Sequence, residues 1–171
     1  MTNKETDEII NRTKIRNILR VICKRHLFHW PFFVAIIFTL FSVFTLHWSK
    51  PHVENLYPII DKHLDTIISL SISSLSIVIA AFAIIFIIYS RNNLRLFMDV
   101  PDGIEGFVSP YIWAAIVWCT LSCISFYSLI YKNNLLYLSM VFLFYYGSLL
   151  MIYLLLEILQ HLMLSLKHNN G

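Results

Sequence analysis

The chain has 171 residues, of which 58% are hydrophobic, 15% aromatic and only 13% charged, with a net charge of +3 and a mean hydropathy of +0.69. A soluble domain covers its outside with about 25% charged residues, so this balance excludes an ordinary soluble chain, a disordered one and a collagen-like one. The cationic excess is too small and too scattered to imply direct nucleic-acid binding, and three cysteines give no disulfide framework.

Residues 1–26 carry Arg12, Arg16, Arg20 and Lys24 at every fourth position, with Ile15, Ile18, Leu19 and Ile22 on the opposite side. This spacing predicts an amphipathic basic helix, and Asp7 and Glu8 near its start suit the positive end of the helix dipole. Its cations are expected to lie against anionic lipid headgroups at about 1 kcal/mol each, or to dock a cytoplasmic partner. Cys23 stands where acylation is chemically feasible.

Four stretches then contain no Asp, Glu, Lys or Arg: Leu27 to Trp48, Thr66 to Ser90, Gly106 to Tyr131 and Asn133 to Leu156. A hydrocarbon core of about 30 Å needs about 20 apolar residues at 1.5 Å rise, so each is long enough to cross as a helix. The expected fold is an all-α membrane protein, a four-transmembrane-helix up-down bundle over residues 27–158, with spans near 27–48, 64–90, 109–131 and 135–157. The chain shows no small-x-small cleavage site after its first apolar run.

Local signals mark the ends of these spans. Trp30-Pro31 places an interfacial aromatic and a helix-starting proline at the mouth of the first, and Trp48 marks its far end. Tyr57-Pro58 suggests that the second helix starts before its apolar part. Ser109-Pro110 has the form of an N-cap and first helical residue for the third. Lys132-Asn133-Asn134 leaves so short a link that the last two spans form an antiparallel hairpin. Lys and Arg resist transfer across a membrane. Seven cations precede the first span, Arg91 and Arg95 follow the second and Lys167 lies in the tail 159–171, against Lys50, Lys62 and Lys132 on the other side. Both termini and the middle loop are therefore expected in the cytoplasm.

The second span carries Ser69, Ser73, Ser76, Ala80 and Ala83 at a 4-3-4-3 spacing. No hydrophobic force presses helices together in lipid, so small residues that let backbones approach, with hydroxyls that bond across, mark an association face. Three occupants fit it: a neighbouring helix of the same bundle, a second subunit, or a serine-lined water path. Ser71, Ser74 and Ala81 broaden the small surface. Ala115, Cys119 and Ser122, with Cys123 and Ser125 nearby, offer a matching surface on the third span, and Gly147 and Ser148 one on the fourth.

The middle loop combines Arg91 and Arg95 with Leu96, Phe97, Met98 and Phe107. Such a mixture serves as an interfacial anchor or as a partner contact, and Arg91, Arg95, Phe97 and Met98 are the expected docking residues. No Asp, Glu, Lys or Arg lies within the spans, so proton relays and coupled-ion sites have no support. Glu157 and His161, one turn apart, form a candidate titrating pair at the end of the fourth span. His47, His52, His63, Glu54, Asp61 and Asp65 match no metal signature. No nucleotide-binding or nucleophile motif occurs. No catalytic, cofactor-binding or metal residues are expected, and neither is an enzyme.

In its short basic tail, its second span "SISSLSIVIAAFAII", the exit "RNNLRLF" and the entry "VSPYIW", the whole chain resembles the small four-span membrane components of bacterial antiphage systems, in particular the membrane subunits of Kiwa systems. The layout is also similar to membrane accessory proteins of RNA-targeting CRISPR systems and to immunity proteins against pore-forming bacteriocins. The resemblance implies a homo-oligomer in the inner membrane that detects phage attack and works with a cytoplasmic effector. A small oligomeric ion channel and a bacteriocin immunity protein are the alternatives.

Overall fold

The computed structural model describes residues 15–26, 29–49, 60–90 and 103–169. Among these, five α-helices follow one another: α1 (Ile15–Val21), α2 (Trp30–Ser49), α3 (Leu64–Ser90), α4 (Gly103–Ile130) and α5 (Asn134–Asn169). α1 runs on into a π-helical turn, Ile22–His26, and no strand occurs among the described residues. Three helices are long and apolar enough to cross a membrane, over Leu64–Ile84, Val108–Ile130 and Asn134–Leu159, while Trp30–Thr45 is a shorter apolar stretch. The architecture is that of an all-α, membrane-embedded protein.

The helix ends follow local chemistry. α2 starts at Trp30 with Pro31 in its first turn, where a missing N–H costs nothing. α5 starts at Asn134, and Asn133 Oδ1 accepts the Leu135 N–H at 3.0 Å, a side-chain cap for an orphan donor. α4 departs from expectation. It begins at Gly103 rather than at Ser109-Pro110, with Pro110 inside the helix. The proline has no N–H for the Gly106 carbonyl four residues back, and the Ser109 hydroxyl donates to that oxygen instead, at 3.2 Å. The segment with Tyr57-Pro58 lies outside the described residues.

Packing joins α3 to α4, α4 to α5 and α5 to α2, while α1 and its π-turn lie on α4. Neighbours run antiparallel, as the pairs Ser71 with Ser122 and Phe82 with Tyr111, Trp113 with Tyr146 and Ser128 with Met140, and His29 with Tyr153 and Ser42 with Tyr145 require. Among the described residues no substantial packing joins α2 to α3. The described helices therefore form an open row with α2 and α3 at its edges. Two apolar clusters fill the row: one holds α3 on α4 and α5 around Trp118, Leu121 and Tyr137, and the other holds α2 against α5 around Ala35, Tyr146 and Leu150. The α4–α5 crossing is close at Gly147, where an added Cβ would lie 2.9 Å from Trp118 Cε2. The tail beyond residue 159 continues α5 as helix to Asn169.

Candidate association and docking surfaces

α3 turns two different faces outward and inward. Leu64, Ser71 and Val78, seven residues apart, are buried against α4 and α5. At 100° per residue, Ser69, Ser73, Ser76, Ala80 and Ala83 stand about 120° to 180° away from Ser71, and all five are exposed. The small-residue stripe thus lies on the outer edge of the row, opposite the helix's intramolecular contact. Ile72 and Ile79 border it on one side and Leu70, Ile77 and Ile84 on the other, all exposed, so it forms a shallow channel between two apolar ridges. Its hydroxyls bond within α3: Ser73 Oγ donates to the Ser69 carbonyl at 2.8 Å and Ser76 Oγ to that of Ile72 at 3.0 Å.

The hydroxyl that does bind between helices is Ser71, placed beside the stripe in the sequence reading. Ser122 Oγ donates to Ser71 Oγ at 2.9 Å across the α3–α4 contact. Ser122 therefore parts company with Cys119 and Cys123, which are exposed and unbridged on the back of α4. The expected matching surface on the third span is split between a buried side and an open one. Gly147 is used within the chain, beneath Trp118. Its signal was available as a lone glycine in an apolar run, but its partner was not.

The basic segment is arranged as an amphipathic strap. Ile18 and Ile22 are buried where α1 and the π-turn lie on α4, whereas Arg16, Arg20 and Lys24 are exposed. The apolar side thus packs on protein and the cations face outward, free to meet headgroups or an acidic partner. Leu19, expected on the apolar side, is exposed. Arg12 and the docking residues Arg91, Arg95, Phe97 and Met98 lie outside the described residues, as does the side chain of His161. Glu157 is half-buried on α5, one turn beyond Tyr153, whose ring meets that of His29 at 5.1 Å. At the opposite end of the row, Lys132 Nζ donates to Asp61 Oδ2 at 3.5 Å. Comparison with protein families, curated proteins and solved structures finds no match to this chain.

Proposed function

We propose that this chain is a non-enzymatic, homo-oligomeric scaffold of the bacterial inner membrane, with four spans and cytoplasmic termini. It senses membrane perturbation or phage attack and recruits or controls a cytoplasmic effector in antiphage defence, the setting its layout resembles. The observation that carries the reading is the α3 stripe. A helix edge facing only lipid gains nothing from five small residues in register, whereas a second α3 laid into a channel between isoleucine ridges gains close backbone contact and dispersion.

The packing supplies a route from that face to the basic segment. α3 is tied to α4 through Ser71 and Ser122, and α4 carries α1. A change in how two α3 helices cross would shift α4 and alter what Arg16, Arg20 and Lys24 present, an interface movement of a familiar kind. Replacing Ser73 by Leu fills the channel, and the assembly mass in mild detergent should fall to that of the protomer. An unchanged mass removes the stripe from this role. Charge reversal at Arg91 and Arg95 should abolish co-purification of a cytoplasmic effector, and a wild-type protein that retains no such effector ends the docking proposal.

A further inference from the structure

Two concavities lie in sequence along one side of α5. The first, about 820 Å³ and open, sits at the α4–α5 turn and is bordered by Tyr127, Tyr131, Lys132, Asn133, Asn134 and Leu135. The second, about 480 Å³, is a groove on α5 at Leu138, Ser139 and Phe142, walled by Ile36 and Leu40 of α2 and by Ile124 of α4. On α5, Leu135 and Leu136 of the first and Leu138, Ser139, Phe142 and Leu143 of the second share one face on consecutive turns, and on α4 so do Ile124 and Tyr127, with Tyr131 just past its end. The mouth and the groove therefore lie end to end along the same side of the α4–α5 hairpin.

Their chemistry changes along that line as a phospholipid's does. The mouth offers the Lys132 ammonium, held by Asp61, and the Asn133 side chain, whose oxygen is occupied by the Leu135 N–H, so that its N–H groups are left to donate outward. Tyr127 and Tyr131 stack at 4.6 Å beside them, amphipathic rings suited to the headgroup level. The groove is apolar in effect: Thr39 Oγ1 donates to the Ala35 carbonyl at 2.7 Å and Ser139 Oγ to that of Leu135 at 2.9 Å, so neither hydroxyl asks for a partner from the groove. A ring of interfacial tyrosines alone would account for the stacked pair, but not for a groove walled by three helices next to a mouth that offers an ammonium and side-chain amides.

We propose that the two concavities form one site for a glycerophospholipid, with its phosphodiester at Lys132 and the neighbouring amides and one acyl chain along α5 between α2 and α4. The site is independent of the scaffold reading. The test is native mass spectrometry of the full chain in mild detergent, offered palmitoyl-oleoyl-phosphatidylethanolamine, the diacylglycerol with the same chains, or inorganic phosphate. The phospholipid should remain bound while the other two leave no adduct, and Lys132→Glu and Ser139→Trp should each cut its occupancy at least about fivefold. Equal retention of the diacylglycerol, or wild-type occupancy in either variant, overturns the proposal. A phospholipid with a diazirine in its acyl chain keeps the test independent of whether the variants fold. Applied to the wild-type chain, it should label Leu138, Ser139, Phe142, Leu143 and the Ile124 segment, and equal labelling of the exposed Phe33, Ile37 and Phe44 of α2 overturns it as well.

Discussion

Serine hydroxyls show how a single group can serve either its own helix or a neighbour. Ser125 and Ser128 donate to the Leu121 and Ile124 carbonyls, each at 2.8 Å, which satisfies them where lipid and core offer no water. Ser122 reaches both the Trp118 carbonyl and Ser71, and so links α4 to α3. Replacing Ser71 by Ala should lower stability by about 0.6 kcal/mol, the usual worth of an interhelical bond in a membrane, read from the midpoint of a denaturing-detergent titration. Gly147→Val should cost more, about 1–3 kcal/mol by overpacking, because the atom in the way belongs to the indole of Trp118, itself buried against α5. Ser148→Ala is the control. Its hydroxyl bonds the Phe144 carbonyl of the same helix, so the midpoint should move little.

At the scale of the element, α4 shows that a proline signals a helix start only when nothing upstream can carry the helix. Here the Ser109 hydroxyl takes the place of the missing Pro110 N–H, and the helix runs from Gly103. α1 shows a different economy of contact. With seven residues and a π-turn it is too short to persist alone in water, and its order comes from Ile18 and Ile22 on α4. Ile22→Glu should release it, since an unpaired carboxylate in that contact is costly. Trypsin should then cleave at Arg16 and Arg20 at least several-fold faster than in the wild-type chain, and an unchanged rate would show that other contacts hold the strap.

At the scale of the molecule, the open row makes the edges unequal. α3 presents small residues outward, whereas α2 presents Phe33, Ile37, Phe41 and Phe44, the bulky surface expected against lipid. α2 is attached through α5: Phe32 meets Phe142 and Tyr146 at 5.6 and 5.8 Å, and Ser42 shares a 2.9 Å hydrogen bond with the Tyr145 hydroxyl. Phe32→Ala should therefore speed amide exchange in α2 while leaving exchange in α4 as it was, because α2 is no part of the α3–α4 contact. Equal acceleration in both would mean that the four helices open as one unit.

How much of this was legible in the chain depends on which signal lipid preserves. Length and the absence of charge are preserved: the apolar runs, the Trp30-Pro31 start and the tight α4–α5 hairpin were all readable before any packing was known. The face each helix turns to its neighbour was not. In water the buried side of a helix is the apolar side, but here both the core and the solvent are apolar, so Ser71 and Ser73, two residues apart, give the same sequence signal while one is buried against α4 and the other faces outward. The sequence by itself determined that these helices belong in lipid. Only the tertiary structure decided that they stand in an open row with the stripe on its rim, because partner choice in a membrane rests on shape and hydrogen-bond geometry, which no hydropathy pattern encodes.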